Sequence, residues 1–106
     1  MWIVRKSSAK LLSLVLLLAL ARLAALGCGP VESTMVIVEA DTALHNAKTA
    51  GAADRSPYEF VAAEQYLHKA REMWGNADFE YAIDYATKAR DLSLKARERS
   101  LEKDGE

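Results

Sequence analysis

The chain has 106 residues, with 14 Lys and Arg residues, 15 Asp and Glu residues and one cysteine. This length leaves room for one small domain with a thin core, and a single cysteine excludes an internal disulfide. A near-neutral charge without a basic stripe argues against nucleic-acid binding.

The first 27 residues have the layout of an export signal. Three cations precede a run from Leu11 to Ala21 in which a serine is the single polar member; these cations are Arg5, Lys6 and Lys10. Small residues and Cys28 follow, in the order that is typical of a cleaved signal. The sequence therefore predicts a signal peptide over residues 1–27.

The segment Ala25-Leu26-Gly27-Cys28 resembles the lipobox of bacterial lipoproteins. The resemblance implies that Cys28 becomes the first residue of the mature protein and carries palmitate or similar acyl chains. Each methylene buried in the membrane contributes about 0.8 kcal/mol, so two or three chains make a permanent anchor. Gly29 rather than aspartate follows the cysteine, which by analogy with enterobacterial sorting implies the outer membrane, facing the periplasm.

Two other fates of this segment stay open. A retained anchor would need about 20 apolar residues, and extending the apolar run to Leu26 includes Arg22, which costs about 2.5–3.5 kcal/mol near the centre of a span. Ordinary signal cleavage after Ala19-Leu20-Ala21 would release the chain without lipid. The lipoprotein hypothesis also explains a lone cysteine between Gly27 and Gly29-Pro30.

Removal of residues 1–27 would leave 79 residues with 10 basic and 15 acidic side chains, because the signal contains four of the cations. The mature chain is therefore acidic, with a net charge of about −5 at neutral pH. Pro30 and small polar residues predict an irregular tether over residues 28–34. An alanine-rich helical domain is predicted over 35–101, followed by a frayed tail over 102–106.

The helical domain begins with a predicted helix over residues 35–50, which ends at Gly51. The next helix has an expected N-cap at Ser56, a proline at the first position and a capping box completed by Glu59. Its end is expected at Gly75, in the left-handed conformation. A third helix is predicted from the cap Asp78 to Leu101.

Inward positions of the last two helices recur at steps of three and four and are mostly small. The second helix presents Phe60, Ala63, Leu67, Ala70 and Met73, and the third presents Phe79, Ala82, Ala86, Ala89, Ser93 and Ala96. Small side chains allow helix axes to approach the lower end of the usual 8–10 Å range. The predicted fold class is all-α: an antiparallel helical hairpin or three-helix module after the signal peptide.

The stretch from Ala63 to Lys95 resembles one tetratricopeptide unit. Leu67 and Ala70 lie on its first helix, Gly75-Asn76 forms a tight turn, and an acidic and aromatic approach leads to two alanines seven residues apart: Asp78, Phe79, Glu80, Tyr81, Ala82 and Ala89. The resemblance implies a helical hairpin of the kind that serves protein–protein interaction.

The signal, the lipobox and the alanine spacing from Pro57 through Ala96 together resemble short bacterial envelope proteins grouped as domain of unknown function 4398. Their pattern is a proline-led helix with spaced alanines, a short turn and a longer helix with an alanine every three or four residues. The resemblance implies an envelope location and supplies no mechanism.

The sequence contains no recognisable catalytic constellation. His45 and His68 fall on different predicted helices, and Glu64 with His68 is expected to be an exposed polar pair rather than a metal site. There is no glycine-rich phosphate loop and no Gly-x-Ser-x-Gly motif. We therefore expect no enzymatic activity, no metal and no cofactor.

Aromatic residues gather around the predicted hairpin and allow two interpretations. They either cover a thin alanine core, or Tyr66, Trp74 and Tyr81 stay partly exposed as anchors for a partner, since such residues dominate interface hot spots. We expect a non-enzymatic, lipid-anchored scaffold or adaptor whose partner is an envelope protein or a second copy. The alternative hypothesis is a periplasmic binding module that stacks a small ligand or cell-wall fragment on the Tyr/Trp cluster.

Overall fold

A computed structural model describes the backbone of residues 2–104 and, within it, the side chains of residues 8–23 and 29–103. This part of the chain forms four helices: α1 (Trp2–Thr49), α2 (Ala52–Arg55), α3 (Pro57–Gly75) and α4 (Phe79–Asp104). Residues 2–104 contain no strand, which confirms the predicted all-α class. The side chain of Cys28, the predicted lipid attachment site, lies outside the described residues.

The long helices α1 and α4 run parallel. Gly29 on α1 lies beside Phe79 at the start of α4, and farther along both helices Ala47 shares a core cluster with Ala96. Because both pairs advance in the same direction, the two helices enter and leave the bundle at the same ends. Parallel neighbours require a connection that travels back, and α3 supplies it.

The returning helix α3 is antiparallel to the other two. Phe60, near its start, belongs to the same core cluster as Ala96, whereas Trp74, near its end, reaches Thr34 at the opposite end of the bundle. α4 packs along both α1 and α3 and so makes most of the contacts within the bundle. The predicted hairpin is thus α3 with α4, and α1 completes a three-helix bundle.

The core is built almost entirely from small side chains. Among the described residues, ten of the twelve buried apolar side chains are alanine, and the other two are Phe60 and Leu67. Three serines are also fully buried, and each hydroxyl donates to a carbonyl four residues earlier: Ser33 to Gly29, Ser93 to Ala89 and Ser100 to Ala96, at 2.9, 2.7 and 2.7 Å. A serine bonded in this way packs as a small residue, because its polar group is already satisfied.

The predicted inward rows are found in the structure. On α4 the alanines of the row and Ser93 are buried, and the row continues one step beyond the prediction to Ser100. On α3 the four members from Phe60 to Ala70 are buried. The rows end in half-buried residues, Met73 on α3 and Phe79 on α4.

The irregular tether predicted over residues 28–34 is helical instead. The Ser33 hydroxyl donates to the carbonyls of Gly29 and Pro30, at 2.9 and 3.1 Å, and the Thr34 hydroxyl donates to the Pro30 carbonyl at 2.7 Å. The turn therefore closes around a proline that would ordinarily interrupt it. The tether was predicted from the proline, without the hydrogen bonds of these two hydroxyls.

Two predicted helix ends differ in detail. Ser56 makes no side-chain cap bond; its hydroxyl is buried and forms a hydrogen bond with the Ser100 hydroxyl, at an Oγ–Oγ distance of 3.3 Å. The expected capping partner Glu59 pairs with Arg99 instead. Both side chains therefore bind residues of α4 and do not form the predicted capping box.

The end of α3 uses Ala77 rather than Gly75 as its left-handed residue, with φ of 63°. The Ala77 N–H donates to the Trp74 carbonyl at 3.0 Å and the Asp78 N–H to the Met73 carbonyl at 2.9 Å, which is the Schellman pattern. Gly75 itself is the last helical residue. The left-handed turn thus lies two residues later than predicted.

The segments around α2 and at the end of α4 are more ordered than predicted. Gly51 follows α1 in the left-handed conformation, with φ of 83°, and the short segment between the first two predicted helices forms α2. α4 continues to Asp104, and Lys103 Nζ donates to the Arg55 carbonyl at 2.5 Å. The predicted fraying over residues 102–106 is therefore wrong for 102–104, and residues 105–106 lie outside the described part.

The N-terminal part of α1 extends away from the bundle. Residues 8–23 are exposed throughout, and the large apolar side chains from Leu11 to Leu23 each leave more than half of their surface uncovered. Within the described part of the chain, no helix combines the length and apolarity that a membrane span requires. The packed fold thus occupies the chain after this segment.

Candidate partner-binding surface

The three predicted anchors do not converge on one place. Tyr66 is half-buried and stacks on Tyr85 across α3 and α4, with ring centroids 6.0 Å apart. The Lys88 ammonium lies 5.6 Å from the centroid of each ring, where cation–π attraction adds to the contact. Tyr66 therefore helps to hold the hairpin together and offers little surface to a partner.

Trp74 lies between α3 and α1, at the end of the bundle where Gly29 meets Phe79. Its Nε1 donates to Thr34 Oγ1 at 3.1 Å, and its side chain is 44% exposed. Trp74 borders a shallow apolar groove with Thr34, Ile37, Val38 and Arg71, of about 210 Å³. Small-molecule sites usually have about 300–1,000 Å³, so this groove suits a surface contact better than an enclosed ligand.

Tyr81 is exposed on another side of the bundle. It leaves 60% of its surface uncovered, near the start of α4. Arg90, nine residues later, faces α1 through its ion pair with Glu39. Nine residues correspond to about 180° around a helix, so Tyr81 points away from α1. Trp74 and Tyr81 therefore present separate surfaces.

An apolar row that was not predicted from the sequence lies on the outer side of α1, and we call it the α1 apolar face: Val31, Met35 and Val38. These side chains are 61%, 60% and 58% exposed. Val38 borders Trp74 in one groove and Leu94 of α4 in another. The spacing of four and three was visible in the sequence, but residues 28–34 were interpreted as a tether and only inward rows were sought.

Ion pairs flank the α1 apolar face on both sides. Arg71 binds Asp41 at 2.6 Å on the α3 side, and Arg90 binds Glu39 at 3.1 Å on the α4 side. The hydrogen bond that Arg90 donates to Glu39, together with the nearby Asp91 carboxylate, raises the pKa of Arg90 above its ordinary value, so the guanidinium stays charged. Each flank is thus close to electrically neutral.

The opposite end of the bundle carries a polar cluster. Glu59 has a side chain only 8% exposed and is paired with Arg99, beneath an open depression of about 550 Å³ that Tyr58 and Lys103 also line. Because the buried carboxylate is already satisfied by Arg99, we assign the pair a role in stability. The depression is wide and open to solvent on the side of Tyr58, which is 80% exposed.

The two histidines lie apart, as the sequence predicts. His45 is exposed on α1, and His68 is exposed on α3 one turn after Glu64. Among the described residues, no three His, Cys, Asp or Glu side chains come close enough together to hold a metal ion.

Comparison with known proteins gives one result. The family model described as Domain of unknown function (DUF4398) matches residues 36–106, which is 71 of the 106 residues. No curated protein and no solved structure matches the chain. The matched part contains α2, α3, α4 and the last part of α1, from Val36 onward.

Proposed function

The chain belongs to the Domain of unknown function 4398 family, and from this starting point we propose that it is a lipid-anchored protein of the cell envelope whose helical bundle serves as a non-enzymatic scaffold or adaptor. The family description gives no activity, so the support comes from the residues. We propose residues 1–27 as a cleaved signal, Cys28 as the lipidated residue and the outer membrane, on its periplasmic side, as the location.

One observation carries the lipid-anchor proposal: Gly29, the residue directly after Cys28, already packs in the bundle, whereas the described side chains before it, at residues 8–23, are exposed. Gly29 lies against Phe79, so close that a Cβ at position 29 would be 3.5 Å from Cδ2 of the ring. The apolar side chains from Leu11 to Leu23 are exposed. Residues 8–23 contribute nothing to the core and precede the lipobox cysteine, and both properties are those of a leader.

The position of Pro30 supports the same cleavage point. In the uncleaved chain Pro30 lies inside α1, where a proline removes a backbone hydrogen bond and costs about 3 kcal/mol. In a chain that begins at Cys28, Pro30 falls in the first helical turn, where its missing N–H would have had no helical partner. Cleavage before Cys28 would therefore remove the energetic cost of Pro30, because the proline would then lie in the first turn of the helix.

The adaptor role is supported by the kind of surface that the bundle presents. The described residues offer exposed aromatic side chains and shallow grooves that are open to solvent. Trp74 and Tyr81 lie on different sides, so a bound envelope protein would use one of them. Tyr81 is the stronger candidate for a protein partner, since it lies on α4 away from α1.

The lipid anchor is tested by the intact mass of the protein extracted from membranes. We expect a chain that begins at Cys28 and carries acyl chains, and we expect Cys28→Ser to keep residues 1–27 without lipid. A natural product that retains its first 27 residues, or one that begins at Arg22 without fatty acid, would overturn the anchor.

The adaptor role is tested by a photo-cross-linking residue placed in the envelope-bound protein at Tyr81. A discrete adduct with another envelope protein, or with a second copy, is expected. The same residue at Tyr58, which is more exposed and lies at the opposite end of the bundle, is the matched control. Absence of any protein adduct at position 81 would count against this surface.

A further inference from the structure

We propose that the α1 apolar face rests on the membrane surface, so that the bundle lies along the bilayer instead of standing upright on its lipid. The inference depends on the lipid at Cys28 proposed above. It adds the orientation of the bundle and an occupant for a surface that the fold leaves uncovered.

The register of α1 links this face to the lipid. Val31, Met35 and Val38 follow one another at four and three residues, which keeps them on one side of the helix. Residue 28, which would carry the lipid, lies three residues before Val31 in the chain. Val38 is ten residues beyond it, or about 15 Å along the axis. Acyl chains attached at residue 28 therefore bring the whole row within reach of the bilayer.

The chemistry beside the row fits a lipid–water interface. Trp74 borders Val38, keeps its Nε1 bonded to Thr34 and leaves 44% of its surface exposed. Tryptophan is enriched at the level of the lipid headgroups, because its ring is apolar and its N–H is polar. Arg71 lines the same groove and can donate to lipid phosphates.

The size of the patch favours a lipid surface over a second copy of the chain. Five exposed apolar side chains lie on this face or border it: Val31, Met35, Val38, Trp74 and Leu94. A stable protein interface uses about 20–30 residues on each side, whereas a few apolar residues suffice at a membrane when a lipid already supplies the attachment.

The charges predict which lipids matter. Both flanks of the face are closed by ion pairs, Arg71 with Asp41 and Arg90 with Glu39, and Glu32 lies one heptad before Glu39 on the same flank. No excess of positive charge is available to attract anionic lipids. Contact should therefore form on neutral phosphatidylcholine and change little with salt.

The experiment uses the full-length gene product, extracted from membranes with its lipid and carrying Trp2→Phe so that Trp74 is the only tryptophan. The protein is reconstituted into phosphatidylcholine vesicles with or without bromine in the acyl chains. We expect bromolipid to quench Trp74 emission strongly. The double variant Val31→Ser with Val38→Ser should lose most of this quenching.

Val61→Ser is the matched control. Val61 is 52% exposed on α3, thirteen residues before Trp74 and so about 140° away around the helix. This variant should keep the quenching of the parent, and unchanged far-ultraviolet circular dichroism should verify that all variants are folded.

Three outcomes would overturn the proposal. In the first, the parent protein floats with the vesicles while its Trp74 emission stays unquenched, or Trp74 emission is quenched equally in the parent and the double variant. In either case the protein keeps its anchor but does not lie on the α1 apolar face. Quenching that disappears as the chain forms cross-linked dimers through this face assigns the face to a second copy. Protein that fails to float removes the proposed anchor and this orientation with it.

Discussion

At the scale of single residues, Ala77 carries a conformational cost. It is the one non-glycine residue with a positive φ in the described part of the chain, and an alanine in the left-handed region is disfavoured by about 1–2 kcal/mol. Ala77→Gly should relieve this strain. The larger conformational entropy of glycine in the unfolded chain offsets part of the gain, so the free energy of unfolding should rise by about 0.5–1 kcal/mol. Urea unfolding followed by circular dichroism measures the change.

The matched control for this substitution is Ala53→Gly. Ala53 is exposed on α2, where the backbone is helical and glycine should lower stability by up to about 1 kcal/mol. Equal effects of the two substitutions would contradict the left-handed assignment of Ala77.

The ion pair of Glu59 gives a second residue-scale prediction. Arg99→Ala would leave a carboxylate that is 8% exposed without its partner, and the expected loss is about 1–3 kcal/mol. Arg97→Ala, on an exposed position of the same helix, should change stability by less than about 0.5 kcal/mol. A loss that is equally large for Arg97 would show that charge in general, rather than this pair, is responsible.

These residues also show where local sequence rules fail. The motif from Ser56 to Glu59 predicts a capping box, but Ser100 and Arg99 of α4 lie near enough to bind both side chains. Ser100 is 44 residues from Ser56 in the chain, and Arg99 is 40 residues from Glu59. A rule that considers four neighbouring residues has no information about them.

At the scale of helices, the small inward residues set how closely α4 approaches its neighbours. Ala86 is fully buried and shares a cluster with Ala40 and Leu67. Ala86→Leu should separate the helices and lower the free energy of unfolding by about 1–3 kcal/mol, since a tightly packed core resists added volume. Thermal unfolding measures the loss, and Ala53→Leu at an exposed position serves as control. Unchanged stability would mean that the contact between α4 and its neighbours can accommodate a leucine side chain at position 86.

The same rows explain what could be predicted of the helices. Steps of three and four located the inward residues of α3 and α4 correctly because burial repeats with the helical period. The start of α1 was placed too late, because Pro30 signals a break and the compensating hydroxyls of Ser33 and Thr34 do not form part of any period. The exposed face of α1 was missed for the same reason.

At the scale of the whole molecule, α1 is a structural part of the bundle from Gly29 onward. A chain that begins at residue 28, with Cys28→Ser, should unfold in one cooperative transition. A chain that begins at Gly51 should lose most of its helical structure, because Ala86 and Ala89 would no longer be covered by Ala40. Circular dichroism in urea distinguishes the two, and equal midpoints would contradict the three-helix unit.

The sequence predicted less about the surface than about the core. Tyr66, Trp74 and Tyr81 were grouped because they lie close together in one hairpin. In the structure Tyr66 stacks on Tyr85, Trp74 turns toward α1 and Tyr81 faces away from it. Whether aromatic residues of neighbouring turns share a surface depends on their angles around two helices, which linear proximity does not determine.

The odd number of long helices also fixes the two points at which the chain enters and leaves the bundle. Because α1 and α4 run side by side in the same direction, the chain enters at Gly29 and reaches Asp104 at the far end, one α4 length away, or about 39 Å for 26 residues. The folded bundle therefore holds residue 104 at a set distance from Gly29. An even number of helices would have returned both ends to the same place.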